Sequence, residues 1–239
     1  MTSKILYGFP KVEYYKGMEI FTAPGLHSSA MNIVKNYIST GNKILDAGAG
    51  EGAFSQYLTD NGYQVISLDL KQSDFKADNT FNAIDLNNKD QLDKFIEEKR
   101  NAFDAVICLE VTEHLKDPWL FIYFIKSVLK KEGIVIMSTP NPASWLSRFL
   151  FFFTGRLYHF RDQDVRESGH ITPLFDWQLE IIMREIGFSD IRFHHSVSLP
   201  WYIVSRKTLF NAAFFLAPLY RWFMHGRKND DILLVTAKA

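Results

Sequence analysis

Three glycines in five residues, Gly48-Ala-Gly50-Glu-Gly52, follow directly on the apolar run Lys43-Ile-Leu-Asp-Ala47 and open a helical pattern at Ala53. Glycine lets a chain turn sharply and bring its backbone close to a ligand, and a helix start presents free amide donors. The same strand–loop–helix rhythm then repeats. Apolar runs at 64–68, 81–84, 103–109 and 133–137 predict four more strands. Helices are expected at 92–98 and 118–129, the second with Pro118 in its first turn. A short helix at 28–38 precedes this series. A helix at 176–186, a strand at 191–193 and an apolar run at 231–236 close it. Near-continuous apolar strands alternating with helices predict an α/β fold, a doubly wound, mostly parallel sheet covered on both faces.

The expected organisation is one domain over 1–239, with residues 1–40 as an N-terminal helical cap. Two insertions, 140–173 and 199–228, would lie over the site. Hydrophobic residues at 47% against charged residues at 23% exclude a disordered chain. Lys and Arg number 27 and so do Asp and Glu, which argues against non-specific nucleic-acid binding. A single cysteine, Cys108, excludes an intramolecular disulfide framework. With no long apolar run at the N-terminus, a cytoplasmic protein is expected.

The glycine loop alone is ambiguous, because Gly48, Gly50 and Ala53 also satisfy the G-x-G-x-x-A pattern of dinucleotide folds. Acidic residues narrow it. Asp46 starts the loop, Asp69 ends the second strand where a carboxylate can accept ribose hydroxyls, Asp85 closes the third and Glu110 the fourth. Carboxylates at successive strand ends suit a cationic, phosphate-free ligand better than a pyrophosphate.

In these motifs the chain resembles the class I S-adenosylmethionine-dependent methyltransferases. Lys43–Gly52 is similar to that family's first motif. Residues 103–114, followed by Asp117-Pro118, are similar to the fourth-strand motif of the ubiquinone-type O-methyltransferase branch. The resemblance implies a seven-stranded Rossmann-like sheet with its last strand antiparallel, and S-adenosyl-L-methionine as cofactor. It places that cofactor on Asp46, Ala47, Gly48 and Gly50, on Asp69 and Leu70, on Asp85 and Leu86, and on Leu109 and Glu110.

Methyl transfer to a hydroxyl needs alignment and removal of a proton, not a covalent intermediate. Glu113-His114, just past the fourth strand, can supply a base or compensate the dipole of the following helix. His170, in Gly169-His-Ile-Thr-Pro173, can project over an acceptor or bond its own turn. His194-His195 reads as solvated. Glu110, Glu113, His114 and His170 are scattered along the chain, so no metal is expected.

No Asp or Glu stands between Gly133 and Arg161 or between Ile191 and Asn229, and both windows are rich in aromatics and Arg. Either they cap the pocket, or they form an interfacial face that meets lipid as a peripheral membrane contact. The function expected is methyl transfer to an oxygen of a small-molecule acceptor, with lipid-linked and saccharide acceptors in view. A nucleotide-dependent oxidoreductase is the first alternative, though the Tyr-x-x-x-Lys pair is missing. A non-catalytic adenosyl-ligand-binding module is the second. A nucleic-acid acceptor is not expected, since the fourth strand lacks a following Asn/Asp-Pro-Pro-Tyr/Phe.

Overall fold

The computed structural model describes residues 12–198 and 222–239. In chain order the elements are β1 (Glu13–Tyr15), β2 (Met18–Ile20), α1 (Leu26–Tyr37), β3 (Lys43–Ala47), α2 (Ala53–Asp60), β4 (Gln64–Asp69), β5 (Thr80–Ala83) and α3 (Lys89–Lys99). They continue with β6 (Phe103–Leu109), α4 (Pro118–Val128), β7 (Leu129–Pro140), α5 (Trp145–Thr154), α6 (Asp176–Glu185), β8 (Ser189–His194) and β9 (Ile232–Lys238).

Seven strands form one sheet in the order β5-β4-β3-β6-β7-β9-β8. The five from β5 to β7 are parallel, and β9 runs antiparallel to both β7 and β8. The chain winds outward from β3 to β5, then returns to lay β6 on the other side of β3. That reversal opens a crevice at the carboxyl ends of β3 and β6, the place where open α/β sheets bind ligands.

Side chains alternate across the sheet and fix which helix covers which face. Ile44, Ala105 and Ile107 pack with Leu26, Val34, Phe54 and Leu58 of α1 and α2. Leu45, Val106 and Cys108 pack with Phe95, Phe121, Phe124 and Leu179 of α3, α4 and α6. At α4 the Asp117 carboxylate accepts the Leu120 N–H at 3.0 Å, with Pro118 in the first turn. Asp117 thus caps α4, the helix whose dipole Glu113-His114 was considered to compensate.

Three expectations change. Of the expected 1–40 cap, the described residues 12–40 are only partly helical: β1 and β2 form a hairpin ahead of α1, turning through Lys16 and Gly17 at positive φ. The fifth strand runs from Leu129 to Pro140, because its charged start pairs at Leu129 with Phe103 across a register shift. Within 140–173 there is a real helix, α5, which buries Trp145, Leu146 and Phe149 with Tyr158 and Met224 in a cluster of its own. Most of the second aromatic segment, 199–221, lies outside the described residues.

Candidate active site

The crevice is a cavity of about 850 Å³. Its floor is the glycine loop. After Ala47 the chain turns at Gly48 (φ 87), and the Gly48 and Ala49 N–H groups both donate to the Leu68 carbonyl at 2.8 and 3.0 Å. A Cβ on Gly48 would stand 2.4 Å from Val111 Cγ2, so the loop lies against the end of β6 with no room for a side chain. At Gly50 the N–H donates to Asp69 Oδ2 at 2.8 Å, while Asp69 Oδ1 takes the Leu70 N–H at 2.6 Å. Asp69, expected to accept ribose hydroxyls, thus has its carboxylate on backbone N–H groups, one of them in the glycine loop.

Asp46 is buried beneath that loop, accepting the Ser55 hydroxyl at 2.5 Å. Burial pushes its pKa up to about 7, against the opposing Ser55 hydrogen bond. Glu110 sits at φ 54 at the end of β6 and takes the Ala23 N–H at 2.7 Å. That bond pins the strap between β2 and α1, whose Phe21, Thr22 and Pro24 border the cavity, across its mouth. Burial raises Glu110 to about 7 as well.

Of the residues expected to hold a cofactor, Asp46, Gly48, Gly50, Leu109 and Glu110 border the cavity. Ala47 is buried in β3, and Leu86 lies in the core under α3 and α4. Asp85 closes its own turn by accepting the Asn87 N–H at 2.9 Å. Among the described residues, Asp69, Leu70 and Asp85 stand outside the cavity wall.

The opposite wall carries histidines. His114 borders the cavity after a single 3₁₀ turn, Thr112–His114. Its ring meets His170 edge-on, with centroids 4.9 Å apart. His170 Nδ1 donates to the His159 carbonyl at 2.9 Å, leaving Nε2 as its acceptor. Burial lowers the pKa of His114, and burial together with His114 takes His170 down to about 4, so both imidazoles are neutral near pH 7. The turn at 169–172 is not self-contained: the Ile171 and Thr172 N–H groups donate to the Glu113 carbonyl at 2.8 and 3.0 Å.

Glu113 is fully buried. Its Oε2 accepts the Thr139 hydroxyl at 3.1 Å, and Oε1 has no partner among the described residues. Burial and the neighbouring Glu110 hold its pKa well above the carboxylate range. Glu113 does not border the cavity, so its expected place beside an acceptor gives way to one beneath His114 and His170. Against the expectation of scatter, the ligating atoms of Glu113, His114 and His170 lie within 4.8 Å of one another, a two-histidine, one-carboxylate set with the chemistry to hold a divalent ion.

Sequence reasoning missed three cavity residues. His27 stands in the first turn of α1, its ring against Phe54 and its Nδ1 without a partner among the described residues. His159 and Asp231 face each other, Nε2 to Oδ1, at 3.0 Å. His159 lies in the acid-free window that ends at Arg161 and Asp231 just ahead of β9, and nothing local marks two residues so far apart as partners. Of the pair read as solvated, His195 is exposed and His194 is half-buried, its Nε2 2.8 Å from Thr236 Oγ1.

No Lys or Arg occurs among the described residues bordering the cavity, where Glu19, Asp46, Glu110 and Asp231 do. A backbone floor without side chains, beside carboxylates and without phosphate-binding cations, fits an adenosyl sulfonium.

A family model described as a methyltransferase domain matches residues 29–192. A curated ubiquinone biosynthesis O-methyltransferase from Rickettsia felis is 35% identical over 104 residues, 41% of each chain. One from Bradyrhizobium diazoefficiens is 33% identical over 128 residues, 51% of this chain and 48% of its own. The match thus spans less than half the length of these relatives. Among solved structures, an S-adenosylmethionine-dependent methyltransferase from Archaeoglobus fulgidus aligns with TM-score 0.61 at 16% identity, covering 89% of this chain and 94% of its own. A methyltransferase from Thermotoga maritima, titled a possible histamine N-methyltransferase, aligns at 0.59 and 13%, covering 90% and 89%. These two likenesses concern the fold.

Proposed function

The chain belongs to the S-adenosylmethionine-dependent methyltransferases, and from that premise we propose that it transfers a methyl group to an oxygen of a small-molecule acceptor. The observation that carries this reading is the cavity itself: a glycine-loop floor, carboxylates at its rim, no cationic side chain among its described lining, and two neutral imidazoles facing in. The O-methyltransferase names of the partial relatives support oxygen over nitrogen. Family membership removes the ground for the oxidoreductase alternative.

Gly48, Ala49 and Gly50 would lie under the cofactor, with Asp46 and Glu110 at its charged end, and Asp69 would hold the loop in register. When bound, S-adenosylmethionine supplies an electrophilic methyl group on a sulfonium. The chain's own work is to orient the acceptor and take its proton. His170 is suited to the second task, because its Nδ1–H is committed to the His159 carbonyl and Nε2 remains free to accept. His114 shares that wall. The strap latched by Glu110 lines the cavity beside them.

A peripheral membrane contact goes with this reading. Phe151, Phe152 and Phe153 on α5 are exposed, as are Trp222 and Phe223. The two stretches are joined by the Arg148 guanidinium donating to the His225 carbonyl at 2.9 Å. Exposed aromatics beside Arg suit the headgroup boundary, and would bring the cavity to an acceptor with a lipid tail. No helix among the described residues is long and apolar enough to cross a membrane.

The test is a tritiated methyl-transfer assay against matched phenols, alcohols and amines. Label transferred to hydroxyl acceptors supports the proposal. Label transferred only to amines, or none despite cofactor binding, contradicts it, and the second result would leave a non-catalytic binding module.

A further inference from the structure

We propose that Phe21 contacts the cofactor, its ring forming a stacking wall for the adenosyl group beside the glycine loop. Phe21 stands midway along the strap between β2 and α1 and borders the cavity. A Cβ on Gly50 would lie 3.4 Å from Phe21 Cδ2, so the ring runs alongside the bare backbone of the loop. At that same position the Gly50 N–H donates to Asp69 Oδ2 at 2.8 Å. Asp69 is the carboxylate expected at the ribose, which puts the ring at the nucleoside end of the cofactor. The ligand's identity rests on the methyl-transfer reading; the position of the ring does not.

The strap's backbone is fixed on both sides of this residue. Two positions before it, the Glu19 N–H donates to Glu51 Oε2 at 2.9 Å, and two positions after it the Ala23 N–H donates to Glu110 Oε2 at 2.7 Å. Glu51 belongs to the glycine loop and is itself held by Lys76 Nζ at 2.6 Å. The strap is thus tied to the loop at one end and to the end of β6 at the other. Its central side chain is nevertheless left bare, 66% exposed. The other Phe and Tyr of the described lining, Phe54 and Tyr158, are both buried.

An exposed phenylalanine on an open surface needs no explanation, but one held by two latches at the edge of a cavity does. Burying its ring is favourable, and the fixed backbone on either side leaves that gain to whatever enters the cavity. The chemistry of the neighbours selects the occupant. The loop offers backbone without side chains, and the ring offers a flat apolar face, which suits a planar heteroaromatic group laid between them. A purine stacks on an aromatic face through its own π system, and an aliphatic side chain of the same size gives area without that face.

The test is calorimetric titration with S-adenosylhomocysteine and with 5′-methylthioadenosine, which keeps the adenosyl group and lacks the amino acid. Phe21→Ala is expected to weaken both by about tenfold, the usual order for one lost base–aromatic stack. Phe21→Leu should recover little of the loss, while Phe21→Tyr, which keeps the flat ring, should bind both within about twofold of wild type. Because the ring is exposed, the thermal midpoints of all three variants should match that of wild type, which separates lost contact from lost folding. Unchanged affinity in Phe21→Ala, or wild-type affinity in Phe21→Leu, would overturn the stacking role. So would a loss confined to S-adenosylhomocysteine, which would put the ring at the amino-acid end. A lower midpoint with affinity intact would make Phe21 a packing residue and overturn it too. If wild type binds S-adenosylhomocysteine and the Phe21 variants bind it equally well, this contact falls and the methyl-transfer reading stands. If wild type binds neither ligand, the reading itself falls and takes the contact with it.

Discussion

On one side of the cavity Asp46, Gly48, Ala49, Gly50 and Ala53 come from a single stretch of chain, held by the neighbouring strand through Leu68 and Asp69. On the other side His114, His159, His170 and Asp231 come from four separate places. They are joined by bonds such as His159 to Asp231 and the 171–172 amides to the Glu113 carbonyl. The first wall is drawn from one stretch of chain and the strand beside it. The second exists only once α5, the turn at 169–172 and β9 have docked. The difference matches the tasks, since a common cofactor needs one fixed cradle while an acceptor site is set by longer, variable segments.

If the histidine wall does the chemistry, the largest effect should come from emptying it. His114→Ala and His170→Ala are expected to lower turnover roughly a hundred- to ten-thousandfold, the usual worth of a lost general base. Turnover is to be measured on whichever hydroxyl acceptor the tritium assay identifies. Wild-type rates in both variants would leave catalysis to positioning alone.

The glycine wall should break in another way, through folding. Gly48→Ala places a Cβ 2.4 Å from Val111 Cγ2 at φ 87. Overpacking and a left-handed alanine together are expected to cost about 2–4 kcal/mol in a denaturant titration. Gly155, after α5, is the control: its φ is 65, but a Cβ there meets nothing within 4 Å. Gly155→Ala should cost only the backbone term, about 1–2 kcal/mol. Equal losses at the two glycines would mean that space at the loop is not the constraint.

Asp46 sharpens the comparison through pH. Its folded pKa, about 7, lies above the 3.8 ordinary for an aspartate, so the folded chain keeps the proton more tightly than the unfolded one. Its contribution to stability is present below the unfolded pKa and lost as pH rises through about 7. Asp46→Asn cannot ionise, so its stability relative to wild type should improve between pH 5 and pH 8. Parallel stability–pH curves for the two proteins would contradict the assigned burial.

The smallest effect belongs to the outer face of α5. Phe152→Ser and Phe153→Ser together should reduce sedimentation with anionic vesicles at low salt and leave cofactor affinity alone. Docking of this kind should fade as salt rises. Unchanged sedimentation of the double variant would return these phenylalanines to a role within the protein.

How legible each wall was follows from how it is built. The strand ending in Asp46, the turn at Gly48 and the start of α2 lie within a few residues, and their glycine and apolar pattern displays them. Asp69 was recognised from its place at a strand end, although its observed bond to the Gly50 N–H makes it a brace for the loop. The β1–β2 hairpin went unseen because each strand has three residues and Lys16 holds a turn position more often given to Asn, Asp or Gly. α5 was hidden by its own composition: Phe149 is buried while Phe151 to Phe153 are exposed, so the run of aromatics does not display which of them pack inward. The His159–Asp231 pair spans 72 residues, and contacts at that separation leave no periodicity to read.

The division of labour between the two walls is tested most directly by calorimetric titration of S-adenosylhomocysteine into wild type, Asp69→Ala and His170→Ala. Loss of Asp69 frees the Gly50 N–H and removes the expected ribose acceptor, and should weaken binding by about 1.5–3 kcal/mol, roughly ten- to hundredfold. His170→Ala should bind within about twofold of wild type, which is about 0.4 kcal/mol. Undiminished affinity in Asp69→Ala, or an equal loss in both variants, would contradict the account.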